Sequence, residues 1–276
     1  MNIGFTKMHG LGNDFIIIEN MNGRISLSKE QIIFLCDRHK GIGADGVILV
    51  EKSDNADSMN SPRADCFMNY YNADGTEAEM CGNGVRCVVK FLKDEILYKV
   101  APLQKDFKID TRAGVKEVKY EDDGTYSVNM GKPVFTHDDF PAKCPEIKGL
   151  TLHLVSIGNP HAVAFVKDLD LYDLPVLGPE IENNKNFPNK INFELVQKMS
   201  SKKFKIKVWE RGCGATLACG TGACAVYAVA RKQKLADKEI TIILPGGELF
   251  LSGNDNGDII MRGLAESVYS GIVELK

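Results

Sequence analysis

The sequence predicts an α+β protein of two pseudo-symmetric domains, each a curved, mostly antiparallel sheet or barrel around one central helix. Three observations predict it. Apolar residues fall in short β-branched runs separated by turn residues, only two stretches carry a convincing helical pattern, and both of those open at the same kind of turn, Cys81-Gly82-Asn83-Gly84 and Cys219-Gly220-Thr221-Gly222.

The strand candidates include Phe15-Ile16-Ile17-Ile18, Val47-Ile48-Leu49-Val50, Ala162-Val163-Ala164-Phe165-Val166 and Ile240-Thr241-Ile242-Ile243. After the first cysteine turn, Val85, Val88, Val89, Leu92 and Ile96 keep the i, i+3, i+4, i+7 spacing of an amphipathic helix. After the second, Ala223 to Leu235 is small and apolar until Arg231, Lys232 and Lys234, cations suited to the negative end of a helix. This second helix reads as central and buried.

The motifs recur in order. Gly12-Asn13-Asp14-Phe15 and Gly158-Asn159-Pro160-His161 each lead into an apolar strand, with offsets of 146 between the asparagines (159 − 13) and 138 between the cysteines (219 − 81). Two matched pairs at nearly one offset indicate duplicated halves. The boundary is placed near Tyr120-Glu121-Asp122-Asp123-Gly124, giving domains of residues 1–121 and 122–264, with a C-terminal strand in 265–276 returning to the first. Residues 141–149 read as a surface loop.

A chain of 276 residues with 44% hydrophobic and 26% charged residues is long enough for two cores. A net charge of -3 gives no electrostatic reason to expect nucleic acid or a membrane surface as a partner. Nothing at the N-terminus resembles a signal peptide, so a cytoplasmic location is expected. In a reducing compartment the eight cysteines point to thiols rather than to structural disulfides. Without a Cys-x2-Cys pair, a zinc site or a thioredoxin-like site is the weaker reading.

A cysteine just before a glycine-rich helix start sits where backbone N–H groups and the positive end of the helix dipole converge. That environment is expected to favour thiolate, and a carboxylate can accept hydrogen bonds from the same N–H groups. If the halves face each other, two thiols flank one molecule, one removing an α-proton while the other returns a proton to the opposite face. The active site is accordingly expected in the cleft between the domains.

These residues resemble the diaminopimelate epimerase family along nearly the whole chain. The resemblance rests on Lys7-Met8-His9-Gly10-Leu11-Gly12-Asn13-Asp14-Phe15, Gly41-Ile42-Gly43-Ala44-Asp45-Gly46, and Tyr71-Asn72-Ala73-Asp74-Gly75-Thr76-Glu77 leading to Cys81-Gly82-Asn83-Gly84-Val85-Arg86-Cys87. It continues through Gly158-Asn159-Pro160-His161 and Trp209-Glu210-Arg211-Gly212 to Ala218-Cys219-Gly220-Thr221-Gly222. It implies that fold and the reversible conversion of LL-diaminopimelate to the meso isomer, in lysine and cell-wall precursor synthesis, without pyridoxal phosphate, metal or other cofactor.

It also implies residue roles. Cys81 and Cys219 are the acid/base pair, and the main chain of Gly82, Asn83, Gly220 and Thr221 binds the reacting carboxylate. Asn13, Asn72, Asn159, Asn192, Glu210 and Arg211 hold the distal end of the substrate, where an arginine can clamp a carboxylate and asparagines orient it without net charge. His161 and Glu210 assist the thiols, Tyr269 pairs two copies into a homodimer, and Cys36, Cys66, Cys87, Cys144, Cys213 and Cys224 are inert. Two departures touch substrate contacts: Gly46 stands where many members carry glutamine, and Ala215 where glutamate is common.

Proline racemase and hydroxyproline epimerase are the rival enzymes, but they usually carry histidine where Asn83 stands. A non-catalytic amino-acid-binding protein is the rival of another class. It would need the carboxylate site and no thiols, and two intact cysteine turns weigh against it.

Overall fold

The computed structural model describes residues 1–53, 64–98, 101, 103–138, 140–143 and 145–275. Cys144 lies outside them, so the reading of it as an inert thiol does too. The chain divides into two compact units, Met1–Val128 with Gly263–Lys276, and Asn129–Arg262.

The first unit begins with β1 (Asn2–Gly10) and β2 (Asn13–Asn20), an antiparallel hairpin. Its two-residue turn holds both Leu11 (φ 57) and Gly12 (φ 83) in the left-handed region, the geometry that matches strand twist and delivers Asn13 at the strand start. α1 (Lys29–Cys36) then crosses to β3 (Gly46–Glu51), which lies parallel to β2. β4 (Cys66–Asn72) returns antiparallel to β3, and α2 (Gly82–Phe91) crosses to β5 (Asp106–Asp110), parallel to β4. β6 (Lys116–Tyr120) and β7 (Tyr126–Asn129) finish as a meander.

The turn at 121–124, expected as the domain boundary, is the hairpin turn between β6 and β7, closed by Gly124 N–H on Glu121 O at 3.0 Å. Val118, Tyr126 and Val128 alternate into the interior, so the meander stays with the first unit and the division falls after Val128.

The sheet is covered on both faces. Ile16 and Ile18 join Ile32, Leu35 and Cys36 of α1 in one cluster, while Phe15, on the opposite face, approaches Gly84 of α2. This explains why Phe15–Ile18 reads as a continuous apolar run, each residue fully buried. α2 touches β1, β2, β5 and β6, strands spread along the sheet, so the sheet curls around it.

The second unit repeats this wiring. After a short hairpin of β8 (Glu146–Ile147) and β9 (Leu150–Thr151) come β10 (His153–Ser156) and β11 (Pro160–Val166), paired antiparallel. α3 (Leu174–Glu182) crosses to a parallel β12 (Asn192–Lys198), and β13 (Lys203–Glu210) returns antiparallel with β14 (Gly214–Thr216) on its edge. α4 (Gly220–Lys232) crosses to a parallel β15 (Glu239–Leu244), followed by β16 (Gly247–Gly253) and β17 (Ile259–Gly263). Finally β18 (Glu266–Glu274) returns to the first unit antiparallel to β1.

The same pairings in the same order make the duplication visible in the chain path. Register sharpens it. Phe15 pairs with Gly46 and Gly46 with Asn72 in one half, while His161 pairs with Asn192 and Phe193 with Trp209 in the other, which aligns Asn192 with Glu210. Position by position, Asn13, Phe15, Gly46, Ile48 and Asn72 correspond to Asn159, His161, Asn192, Glu194 and Glu210.

Two helices differ from the sequence reading. α1 has a capping box, Ser28 Oγ accepting from Gln31 N–H while Gln31 Oε1 accepts from Ser28 N–H, a signal present in Ser28-Lys29-Glu30-Gln31. α3 buries Leu174, Leu177, Gly178 and Ile181 at helical spacing, behind a proline in its first turn. Residues 141–149 are more than a loop, because Ile147 and Leu150 of the small hairpin join the core of the second unit.

Candidate active site

In the first unit Cys81 is the N-cap of α2, with extended backbone (φ -139, ψ 120), and its carbonyl accepts the first helical bond from Val85 N–H at 2.9 Å. The cysteine makes no side-chain capping bond, so its sulfur stays directed to other partners. The Sγ lies 3.5 Å from Asn13 Oδ1, which also accepts from Asn83 Nδ2 at 3.1 Å. Asn13 in turn donates through Nδ2 to Asp45 Oδ2 at 2.7 Å.

Behind this turn stands Arg86, one helical turn after Asn83 and fully buried. It donates to Asn83 Oδ1 at 2.9 Å and to the carbonyl of Leu264 at 3.1 Å. A buried guanidinium brings positive charge to a helix start that already favours anions. The sequence reading gave Arg86 no role, although its i+3 spacing from Asn83 was in plain view.

In the second unit Cys219 is the N-cap of α4 with nearly the same backbone (φ -126, ψ 111), and Ala223 N–H donates to its carbonyl at 3.0 Å. Its Sγ lies 3.5 Å from Thr221 Oγ1, and Asn159 Nδ2 reaches the same hydroxyl at 3.4 Å. His161, fully buried, places Nε2 2.9 Å from Asn159 Oδ1 and Nδ1 2.7 Å from Glu194 Oε1. Glu194 is fully buried as well, and the sequence reading missed it. The signal was a lone carboxylate inside the apolar run Phe193-Glu194-Leu195-Val196.

The electrostatics of Cys219 depart from expectation. Burial pushes its thiol well above the usual range, the negative charges of Glu210 and Glu194 push further, and the bond with Thr221 opposes them only in part. Desolvation plus two carboxylates outweigh the helix terminus, so this cysteine rests as a thiol. Glu210 is itself raised, by burial first, against bonds from Thr216 Oγ1 at 2.5 Å and from the Cys219 thiol.

The remaining expected residues divide by unit. Asn72 sits at the end of β4, donating to Thr76 Oγ1 at 3.1 Å. Asn192 is buried, accepts from Arg211 N–H at 3.0 Å and donates to Pro160 O at 2.8 Å, so it ties the Arg211 turn to β11. Arg211 is exposed, with Nη1 on Asn189 O at 3.2 Å. Tyr269, on β18, is exposed and packs edge-on against Phe5 at 5.8 Å.

Gly46 has no room for a side chain, because a β-carbon there would strike the Tyr71 carbonyl and the Tyr70 ring. Ala215 is exposed on β14. Cys36, Cys66, Cys87 and Cys224 are buried, whereas Cys213 is exposed and so accessible to reagents. Burial raises Cys36 and Cys87 to about 12 and Cys66 higher still, which keeps them as thiols.

Comparison with known proteins places this geometry in a family. The family model described as diaminopimelate epimerase matches residues 5–136 and 153–268. Among curated relatives, the diaminopimelate epimerase of Rippkaea orientalis is 40% identical over 290 aligned positions covering 100% of both chains. That of Acetivibrio thermocellus is 38% identical over 287, covering 98% of each. Among solved structures, a Bacillus anthracis phenazine biosynthesis protein of the PhzF family superposes with a TM-score of 0.72 at 17% identity, covering 100% of both chains. A hydroxyproline epimerase from Agrobacterium vitis does so with a TM-score of 0.66 at 14% identity, covering 99% of this chain and 91% of its own. At such identities the structures speak to the fold alone.

Proposed function

Because the chain belongs to the diaminopimelate epimerase family, we propose that it interconverts LL- and meso-diaminopimelate by passing the α-proton between Cys81 and Cys219. The observation that carries this reading is the equivalence of the two cysteines: each is the N-cap of its unit's second crossover helix, followed two residues later by a polar side chain bonded to an asparagine at the start of a strand.

The chemistry balances with these groups. One cysteine, as thiolate, takes the proton from Cα, and the electron pair of the C–H bond passes into the carboxylate as enediolate character. The other cysteine, as thiol, returns a proton to the opposite face and becomes the thiolate, so the roles exchange with each turnover. Backbone N–H groups of Gly82, Asn83, Gly220 and Thr221 hold the carboxylate, where fixed dipoles stabilise the growing charge. Cys219 rests as a thiol, the form that returns a proton. The scheme uses no cofactor.

Asn13, Asn72, Asn159, Asn192, Glu210 and Arg211 receive the distal amino-acid end or position the groups that do. Exposed Arg211 fits a carboxylate clamp, and Glu210 fits an amino group or the thiol it already faces. His161 and Glu210 tune Cys219. Tyr269 is assigned to a homodimer contact, supported by the exposed apolar side chains Val268, Tyr269 and Ile272 on β18, the terminal strand of the first unit's sheet. A cytoplasmic location fits the buried thiols, and no described helix is long and apolar enough to cross a membrane.

Proton NMR of the protein with LL-diaminopimelate in D2O tests the reading. Loss of the α-proton signal with appearance of the meso isomer, abolished in Cys81→Ala and in Cys219→Ala, is expected. Folded wild-type protein that gives neither exchange nor product overturns it.

A further inference from the structure

The two equivalent asparagines are held in opposite senses. Asn13 donates through Nδ2 to Asp45, which leaves Oδ1 as an acceptor toward Cys81 and Asn83. Asn159 has Oδ1 against His161 Nε2 and Nδ2 toward Thr221 Oγ1, so it presents a donor to the loop of Cys219. An amide side chain has no steric preference between these orientations, because its oxygen and nitrogen are nearly the same size. Something must choose.

In the second unit the choice traces to Glu194. Its Oε1 bonds His161 Nδ1 at 2.7 Å, and both side chains are fully buried. The equivalent positions in the first unit are Phe15 and Ile48, which pack as hydrocarbon. Glu194 Oε2 has no hydrogen-bond partner among the described residues, so the carboxyl is anchored through its Oε1 bond to His161. Asn159 Oδ1 can only accept, so its bond at 2.9 Å needs a donor at Nε2, and the bond of Nδ1 to Glu194 Oε1 holds the ring in that orientation.

We infer that Glu194 is a positioning residue for the reaction: through His161 it fixes Asn159 with its N–H groups toward Thr221, so that the Thr221 hydroxyl keeps its proton for the Cys219 sulfur. A lone pair of Thr221 Oγ1 accepts from Asn159, and its O–H then donates to Sγ, 3.5 Å away, most strongly when the sulfur is a thiolate. The chain offsets the burial that disfavours the Cys219 thiolate, which must form once per catalytic cycle. The first unit, with buried Arg86 behind its cysteine turn, has no need of such a chain.

The inference rests on the epimerase reading for its catalytic consequence but not for its geometry, and the test separates the two. Wild type, Glu194→Leu and Glu194→Gln are compared by nitrogen-15 NMR of the His161 ring, by alkylation rates of Cys81 and Cys219 read by peptide mass mapping, and by kcat and KM for diaminopimelate. Wild type is expected to carry a proton on Nε2. Both variants lose the carboxylate charge, so Glu194→Leu is read against Glu194→Gln: it is expected to have kcat and a Cys219 alkylation rate about 10- to 100-fold lower, the range for losing one hydrogen bond to a charged group, with KM and Cys81 changed less than about threefold. Glu194→Gln, whose amide can donate to Nδ1, is expected to recover most of the loss.

An unprotonated Nε2 in the wild type overturns the inference. So does a Glu194→Leu variant that alkylates like Glu194→Gln, or one in which both cysteines slow together. If Glu194→Leu does not fold, the wild-type ring spectrum and a Glu194→Gln variant with unrestored Cys219 reactivity still decide against it. An inactive wild type that nonetheless carries the Nε2 proton and the selective effect on Cys219 removes the epimerase reading and leaves the hydrogen-bond chain standing.

Discussion

A β-carbon at Gly222 would lie 2.7 Å from Glu194 Oε1, whereas one at the equivalent Gly84 would meet Ile48 Cδ1 at 3.1 Å. The first contact is with a carboxylate locked by His161, the second with the tip of a flexible aliphatic chain that can yield by a few tenths of an ångström.

Gly222→Ala is therefore expected to cost about 1–3 kcal/mol and Gly84→Ala less than about 1 kcal/mol. Because a β-carbon at Gly222 would also lie 3.4 Å from the Cys219 sulfur, its alanine variant should lose at least about a hundredfold in kcat, since small displacements of reacting groups have effects of that size. Urea melts and steady-state rates of both variants check this. Equal effects in the two halves would refute the steric account.

Alkaline stability follows from the buried thiols. Burial raises Cys36 and Cys87 to about 12 and pushes Cys66 and Cys219 up as well, while an unfolded thiol titrates near about 8.5. Between those values the native state holds the proton that the unfolded state has lost. Stability is thus full below about pH 8.5 and declines above it, by about 1.4 kcal/mol per pH unit for each such thiol. Urea midpoints measured from pH 8 to 11 should fall with increasing steepness, and a flat profile would contradict the burial of these groups.

Acid behaviour has the opposite sign. Burial alone would raise Asp14, but the paired bonds from Arg38 at 3.0 and 2.8 Å and the contact with Lys7 at 2.7 Å outweigh it and hold the carboxyl at about 2. Its contribution is present above the unfolded value of about 3.9 and is lost as pH falls through about 2. Asp14→Asn should remove on the order of 1–2 kcal/mol at pH 7 and almost nothing at pH 2, which thermal melts at the two pH values will show.

Gly46→Gln, which would restore the residue common in the family, should destabilise this protein. The space is taken by Tyr70, whose ring packs edge-on against Phe15 at 5.7 Å, and by the Tyr71 carbonyl. A loss of about 1–3 kcal/mol is expected for the single variant, with only partial recovery when Tyr70 is reduced to leucine in the double variant, because the Tyr71 carbonyl stays in place. An unperturbed single variant would show that the strands separate more readily than their packing implies.

The proposed homodimer predicts that wild type sediments as a dimer at micromolar concentration and Tyr269→Ala as a monomer with loss of activity. A variant that sediments like wild type would remove Tyr269 from the contact.

The sequence by itself determined the duplicated halves, the strand starts at Asn13 and Pro160, and the cysteine turns at both helix starts. These are local signals: glycine-rich turns, β-branched runs and helical spacing act within a few residues. It also held the capping box of α1, which is equally local. What only the tertiary structure decided was the surroundings of the two sulfurs. Arg86 lies on the helix that Cys81 caps and is buried there by the packing of the first unit, whereas Glu194 and Glu210 reach Cys219 from β12 and β13, brought together by strand register. A helix start biases a cysteine toward thiolate in any context, but desolvation and neighbouring charge depend on what the fold packs around it. At Cys219 those terms are larger, and they reverse the local expectation.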